Sequence, residues 1–401
     1  MDAQYKIAFI LELGRALHRY GSPAHRLEGA LESMASLLDV EIHVLSTPTS
    51  IILAFGPLTK QQSFLIRIEP GATNLGKLDR VDGIAESVAA EELSLEDAVA
   101  AIESIEEEPN ALHAIWTSLA FPAVSAASAL IMGGGYADMI VAGLSGVFVA
   151  VLALFLARRS AGGRLFEMSA AFVVGGIAHA GAVWFPGVSY NAAMLAGLIT
   201  LVPGMTLTIA MTEIATRNLV SGTARLTSAA VVFLEILFGV AVSEQLLTHW
   251  IGMPPLVVLG SVPQWSVSLA LLVSCLGAGA LFRAHPRSFP LIVFTSIAAF
   301  YSARLGAHHL SGEIGACLGG FVAAAISNAY ARLFNRSAMV NLIPSLLMLL
   351  PGSLGFRSLT SLWEQDVVGG IDTAFKMILV AISLVVGILV ANAVILPRRS
   401  L

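Results

Sequence analysis

The chain has 401 residues, of which 56% are hydrophobic and only 12% charged, and its net charge is −5 at neutral pH. Its mean hydropathy is +0.81, whereas a soluble domain carries roughly 25% charged residues, so the composition excludes a wholly soluble protein and predicts an integral membrane protein. Residues 1–110 hold 8 Lys and Arg against 18 Asp and Glu, and the remaining residues hold 14 against 9. The acidic region argues against nucleic acid and against anionic lipid as its partner.

Residues 1–110 are predicted to form a small acidic α+β domain in the cytoplasm. A first helix ends at Gly21, and a second begins with Ser22 as N-cap and Pro23 at its first position. Short strands within 40–56 and 63–71 and two acidic helices near 75–90 and 95–107 follow. Four polar residues on the helical hairpin are explained by packing without chemistry: His18, His25, Arg26 and Glu28. We therefore expect a regulatory or structural domain.

From residue 111 onward, ten apolar segments have about the length needed to cross a bilayer. Their approximate limits are 112–132, 137–157, 166–185, 190–212, 225–243, 264–282, 289–303, 312–331, 338–356 and 373–396. The first five form a membrane unit over residues 111–250, and the last five form a second unit over 251–401. The chain is thus expected to be an α-helical integral membrane protein with about ten transmembrane helices.

The distribution of basic residues predicts the orientation. With the N-terminal domain in the cytoplasm, eleven arginines fall in connections on that side, and only Arg304, Arg357 and Lys376 fall near the other. Because positively charged connections stay inside, both termini are predicted to be cytoplasmic, in a multi-pass protein of the cytoplasmic (inner) membrane.

Prolines and glycines recur at one spacing in the two membrane units. Pro203 and Pro351 are 148 residues apart, as are Gly222 and Gly370, and Gly239 and Gly387. Phe172-Val173 and Phe321-Val322 align at 149. Since each unit has an odd number of spans, the second enters the membrane from the opposite side. This pattern predicts two inverted five-helix repeats, the architecture of many secondary transporters.

Each repeat carries a Pro-Gly pair inside an apolar span, in "LVPGMTLTIAMTEI" and in "LLPGSLGF". Proline removes a backbone donor, so the helix breaks there and the next half-helix presents free N–H groups that attract a carboxylate. In a bilayer such a break is tolerated where it is buried in protein or lines a wet cavity. The substrate site is therefore predicted at Pro203, Gly204, Thr206, Thr208, Pro351, Gly352 and Ser353. A packing kink satisfied by neighbouring helices is the alternative.

Ionisable and amide side chains extend the candidate site. Glu235 lies near the middle of the fifth span, where a charge costs about 2.5–3.5 kcal/mol on insertion scales, and we predict that it couples transport to protons. The alternative is a protonated Glu235 that is hydrogen-bonded to a neighbouring helix. Glu213 follows the first break, and Asn191 and Asn341 precede the two breaks. These three side chains are candidates for binding substrate, with interhelical hydrogen bonding as the alternative for the asparagines.

No phosphate-cradling loop, nucleophile elbow or set of metal ligands occurs in the sequence. The chain is therefore not expected to be an enzyme, to hold a cofactor or a metal, or to hydrolyse ATP. Any pumping would use an ion gradient.

With these residues identified, the chain resembles the threonine/serine exporter family over nearly its whole length. "LGRALHRYGSPAHRLEGAL" resembles the family's hydrophilic domain, and "LVPGMTLTIAMTEIATRNLVSGTARL" is similar to its most recognisable motif. "LLPGSLGFRSL" resembles the matching motif of the C-terminal half, which some relatives carry on a separate polypeptide. The chain departs from the family pattern at Ile209, where an Asn is usual, and at Glu213, where an Asp preceded by Arg is usual.

The resemblance implies export of small amino acids, threonine or serine, from the cytoplasm by the proton-motive force. A zwitterion would place its carboxylate at a half-helix N-terminus and its ammonium group on an acceptor such as Glu213 or Glu235. Two alternatives stay open: an exporter of small dicarboxylic or other organic acids, and a non-transport scaffold or sensor that acts through its cytoplasmic domain. The expected partners are a small amino acid, protons and the lipid bilayer, and a homo-oligomer is compatible with the sequence.

Overall fold

The computed structural model describes residues 3–69, 71, 73–108, 111–156, 165–255, 257, 262–349 and 352–396. Pro351 and several arginines of the predicted inside connections lie outside the described residues, namely Arg158, Arg159, Arg164, Arg398 and Arg399.

The N-terminal domain contains four helices and one small sheet. Its elements are α1 (Ala3–Arg19), α2 (Ala24–Leu37), β1 (Ile42–Thr47), β2 (Ser50–Phe55), β3 (Gln62–Arg67), α3 (Leu75–Ala89) and α4 (Leu95–Glu107). The strands pair antiparallel in the order β1-β2-β3, with Ile42 opposite Phe55 and Ile52 opposite Leu65. Leu13, Leu31 and Ile51 belong to the fully buried core that the helices form with one face of the sheet.

The connections of this domain follow from particular residues. Gly21 ends α1 with φ +98, a conformation that glycine adopts without steric cost. The prediction for the start of α2 was wrong by one residue: Pro23, with extended φ and ψ, stands at the N-cap instead of Ser22. The side chains of Asn74 and Ser94 accept from backbone N–H groups and cap α3 and α4.

The rest of the described chain is helical. Its helices are α5 (Ala111–Ile131), α6 (Tyr136–Leu156), α7 (Phe166–Trp184), α8 (Tyr190–Leu198), α9 (Gly204–Ala215), α10 (Leu219–Ile251), α11 (Gln264–Leu281), α12 (Phe289–His309), α13 (Gly312–Phe334), α14 (Met339–Leu347), α15 (Gly352–Trp363) and α16 (Val367–Val394). Within the described residues, nine helical stretches are long and apolar enough to span a membrane. The α14–α15 stretch is one of them.

The predicted fourth span, 190–212, is not a continuous helix. It forms α8 and α9, which have 9 and 12 residues and are each too short to cross a bilayer alone. The predicted ninth span likewise forms α14 and α15. Pro122, in contrast, lies inside the continuous helix α5.

Four glycines bring helices into close contact in matching pairs. A Cβ on Gly239 would strike the Met168 carbonyl of α7, and one on Gly387 would strike the Cys317 carbonyl of α13. Near the starts of α10 and α16, a Cβ on Gly222 would meet Ile214 and one on Gly370 would meet Leu362. The α7–α10 and α13–α16 pairs therefore pack backbone to backbone at these points.

The N-terminal domain is packed against one end of the helical bundle, called here the domain side. Ala284, Ile292, Met339 and Ile343 of the bundle belong to the same apolar cluster as the core of the domain. An ion pair of 2.9 Å between Arg336 Nη1 and Asp79 Oδ2 adds a polar contact at this interface. The bundle residues of these contacts all lie after residue 251, and the hydrogen bond from Ala24 N to Glu213 Oε1 extends the interface to α9.

Candidate functional site: a cavity at the two helix breaks

The first break lies between α8 and α9. Pro203 has φ −78 and ψ 43, and the Gly204 amide donates to the Val202 carbonyl at 2.8 Å, which makes a tight turn. Helix α9 then begins, and the amides of its first turn, including those of Met205 and Thr206, have no partner within a regular helix. The break therefore leaves backbone donors at its helix N-terminus.

The second break, between α14 and α15, touches the first. A Cβ added to Gly352 would lie 3.3 Å from Gly204 Cα and 3.5 Å from Gly204 N, so the two chains pass each other with no room for a side chain. Gly204 and Gly352 each begin a helix. The N-termini of α9 and α15 thus meet inside the bundle.

A cavity of about 700 Å³ lies beside this meeting point. Pro203, Thr206 and Ser353 line it from the two breaks, and Thr200 lines it from the turn after α8. The remaining wall comes from α5, α6, α7, α10, α11 and α14. Its size is that of a small-molecule site.

Two charged residues of opposite sign line the cavity, and neither was predicted as a site residue. Glu167 lies in the first turn of α7, and Arg283 follows the end of α11. Burial lowers the pKa of Arg283. Among the described residues, Arg283 Nε, Ser274 Oγ and Thr200 Oγ1 are buried without a hydrogen-bond partner. The cavity wall therefore contains unsatisfied polar atoms, which native proteins seldom leave without a partner.

Of the site residues predicted at the first break, some line the cavity and others do not. Pro203 and Thr206 line the cavity. Gly204 lies against Gly352, and the Thr208 hydroxyl donates to the Gly204 carbonyl at 3.1 Å. Thr208 is therefore turned back onto its own helix.

The two asparagines are not among the residues that line the cavity. Asn191 is exposed in the first turn of α8. Asn341 is fully buried, and its Nδ2 donates to Thr295 Oγ1 at 2.8 Å and to Ser327 Oγ at 3.0 Å. Asn341 thus links α12, α13 and α14, which is the interhelical alternative considered for it, and a role in substrate binding remains a prediction for both asparagines.

Glu213 is fully buried away from the cavity lining, at the end of α9. Its carboxylate accepts from Ala24 N at 2.9 Å, from Ser221 Oγ at 2.9 Å and from Arg225 Nε at 3.1 Å. These contacts join the N-terminal domain to α9 and α10. A direct role of Glu213 in substrate binding is left as a prediction.

Glu235 is partly buried on α10, the helix that packs against α7, where Glu167 lies. Glu167 lines the cavity, whereas Glu235 lies outside its lining. Sequence reasoning missed Glu167 because it stands at the start of a span, where a carboxylate is unremarkable. Arg283 was counted only as a flanking positive charge.

The nine apolar helical stretches within the described residues are those of a multi-pass membrane protein, and a cavity lies at its two helix breaks. The family model described as "Putative threonine/serine exporter" matches residues 8–247, and the model described as "Threonine/Serine exporter, ThrE" matches residues 268–394. The chain belongs to the threonine/serine exporter family, with both halves fused in one polypeptide. The family is one of transporters and not of enzymes.

Curated relatives are distant. An uncharacterized protein of Schizosaccharomyces pombe is 25% identical over 100% of this chain and 57% of its own length. Pheromone-regulated membrane protein 10 of Eremothecium gossypii is 26% identical over 89% of this chain and 49% of its own length, and that of Saccharomyces cerevisiae is 26% identical over 89% and 47%. The chain spans about half the length of these relatives. No solved structure matches it.

Proposed function

We propose that this chain is a secondary transporter that exports small amino acids, threonine or serine, from the cytoplasm in exchange for protons. The observation that carries the proposal is the cavity lined by both helix breaks, through Pro203, Thr206 and Ser353. Broken helices that meet inside a bundle and open onto a cavity are the usual substrate sites of secondary transporters. The family membership of the chain supports the same class of substrate.

An inverted repeat of residues 111–250 and 251–401 is part of the proposal. The matched glycine contacts support it, because Gly239 meets Met168 and Gly387 meets Cys317, at spacings of 148 and 149 residues. The same 148-residue spacing relates the contact of Gly222 with Ile214 to that of Gly370 with Leu362. Two repeats of this kind would rock against each other around the meeting point of Gly204 and Gly352.

The orientation of the cavity fits export. Arg283, whose carbonyl accepts from the Gly76 amide of the domain, and Thr117, whose hydroxyl donates to the Ala280 carbonyl at 3.2 Å, line the cavity at the domain side. If the N-terminal domain is cytoplasmic in the inner membrane, the cavity takes up substrate from the cytoplasm.

Proton coupling is proposed for the Glu167–Glu235 pair. Glu167 and Glu235 are both partly buried on the packed helices α7 and α10, and carboxylates within membrane spans commonly carry protons in transporters. Because Glu167 lines the cavity, its charge is the one that a substrate ammonium group would meet. Proton and substrate would then compete for the pair, which is the requirement for exchange.

The test is efflux from preloaded proteoliposomes that carry the purified protein under an imposed pH gradient. Labelled serine, threonine and succinate are compared, with protein-free liposomes as the background. Glu235→Gln and Glu167→Gln are measured beside Glu313→Gln, a change at the first turn of α13 that leaves the cavity untouched.

Gradient-driven serine or threonine efflux that is lost in Glu235→Gln or Glu167→Gln, but kept in Glu313→Gln, is the expected result. Efflux of succinate alone would replace the amino acid with a dicarboxylate. No efflux of any of these solutes by folded protein would reject the transporter and favour a scaffold.

A further inference from the structure

Arg283 occupies an unusual backbone position at the end of α11. The Ala284 amide donates to the Gly279 carbonyl at 2.9 Å and the Arg283 amide to the Ala280 carbonyl at 3.1 Å, which is a Schellman motif. Arg283 has φ +53, in the left-handed conformation that glycine normally supplies at this point. The chain therefore places an arginine where a residue without a side chain would fit with less strain.

The N-terminal domain holds this helix end from the other side. The Leu75 amide, in the first turn of α3, donates to the Phe282 carbonyl at 2.9 Å, and the Gly76 amide donates to the Arg283 carbonyl at 3.0 Å. A Cβ on Gly76 would lie 2.8 Å from that same carbonyl oxygen, so only glycine permits the approach. The backbone on which Arg283 stands is thus fixed by α3.

The Arg283 side chain forms part of the cavity wall and has unused hydrogen-bonding capacity. Its Nε is buried and has no partner among the described residues, and Ser274 Oγ, in a fully buried residue of the same wall, is also unpaired within them. A guanidinium group presents a planar fork of donors that matches a carboxylate. The nearby cation Lys77 instead donates to the Glu106 and Glu108 carbonyls of the domain.

We propose that Arg283 binds the carboxylate of the transported solute and that α3 of the N-terminal domain positions it. The inference rests on the proposed function, and it adds both a substrate-binding residue and a role for the domain. The N-terminal domain then supports the binding site. If the domain moves away from α11, recognition of the carboxylate changes, even though no side chain of the domain needs to touch the solute.

The first experiment measures ligand-induced shifts in the melting temperature of the purified full-length protein. The probes are serine, serinamide, which lacks the carboxylate, and succinate. Wild type should bind serine at least tenfold more tightly than serinamide, because a charged hydrogen bond is lost with the carboxylate. Arg283→Gln should abolish this preference, Arg283→Lys should keep part of it, and Arg287→Gln, at an exposed arginine outside the cavity lining, should keep all of it.

The second experiment tests positioning through two glycines of α3. Gly76→Ala should weaken serine binding about tenfold and leave serinamide binding unchanged, because the added Cβ pushes α3 away from the Arg283 carbonyl. Gly83→Ala is the matched control, since no atom lies within 4 Å of the Cβ it would add.

The outcomes separate the inference from the proposed function. A preference for serine that survives in Arg283→Gln, or a wild type that binds no carboxylate, overturns the inference. If wild type binds and moves only succinate, and Arg283→Gln loses it, the amino-acid substrate is wrong but the carboxylate role of Arg283 is supported. Equal effects of Gly76→Ala on serine and serinamide would reject positioning by α3.

Discussion

The Glu213 carboxylate accepts a hydrogen bond of 2.9 Å from the Ala24 amide, 189 residues earlier in the chain. The same carboxylate is paired with Arg225, and a second link runs from Asn218 Nδ2 to Glu28 Oε2 at 2.7 Å. The N-terminal domain is therefore bonded to the α9–α10 corner by polar groups, in addition to its apolar contacts with α12 and α14. Because Glu213 is fully buried, these bonds operate without competition from water.

Removal of the Glu213 carboxylate should destabilise the protein strongly. Glu213→Ala leaves the Ala24 amide and the Arg225 guanidinium without their acceptor, and breaking a buried pair in this way costs about 3–5 kcal/mol. The measurement is the unfolding midpoint in detergent. Asp372→Ala is the control, because Asp372 pairs with Lys376 on an exposed helix face and its loss should leave the midpoint unchanged. Equal midpoints for the two variants would show that the Glu213 bonds contribute nothing.

Stability should fall with acid through His25, on α2. Burial lowers the pKa of His25 to about 4 from 6.5, so the unfolded chain binds the proton more readily than the folded one. Above about pH 6.5 this histidine is neutral in both states and does not reduce the free energy of unfolding. As the pH falls to 4, the free energy of unfolding decreases by at most about 3 kcal/mol. Glu28, whose pKa burial raises, contributes the opposite slope. The wild type must therefore be compared with a variant that differs only at His25.

The comparison is between wild type and His25→Phe, whose free energies of unfolding are measured from pH 8 to pH 4.5. The free energy of unfolding of wild type minus that of His25→Phe should be constant above pH 7. Below pH 6 this difference should become smaller, because only wild type loses stability through the histidine. A difference that stays constant over the whole range would mean that His25 titrates alike in the folded and unfolded chains.

The two halves should respond alike to one added methyl group. Gly239→Ala drives a Cβ into the Met168 carbonyl, and Gly387→Ala drives one into the Cys317 carbonyl, so each should lower the free energy of unfolding by about 1–3 kcal/mol. Gly312→Ala, where no atom lies within 4 Å, is the control. A large effect in one half and none in the other would argue against equivalent packing of α7–α10 and α13–α16.

Both helix breaks could be predicted from the sequence because their cause is local. Pro203 cannot donate a backbone hydrogen bond, and the recurrence of a Pro-Gly pair 148 residues later is enough to predict both breaks. The end of α1 also followed from a local signal, the glycine at position 21. The meeting of Gly204 with Gly352 did not, because it depends on how distant helices pack.

The composition of the cavity needed the structure for the same reason. Glu167 lies in α7 and Arg283 follows α11, and nothing in their neighbouring residues indicates that they line one cavity. Glu213 was chosen for its place after the break, but its partner Ala24 is 189 residues away and no sequence pattern links the two. Charged residues at helix ends are common, so only their tertiary contacts distinguish a site from a solvated flank.

A clamp between the domain and the bundle should stop transport reversibly. Asp79 and Arg336 form an ion pair across the interface, so a short thiol cross-linker between Asp79→Cys and Arg336→Cys would fix the domain to the second half of the bundle. Because the domain is also bonded to Glu213 and Asn218, this cross-link would restrain the movement of the two halves against each other. The background is a variant with Cys275 and Cys317 replaced by alanine and shown to be active. Serine efflux should be lost on cross-linking and restored by reduction. Arg80→Cys with Glu108→Cys, a pair within the domain, should cross-link without effect. Unchanged efflux in the clamped protein would mean that the domain stays docked throughout the cycle and that the two units move without disturbing it.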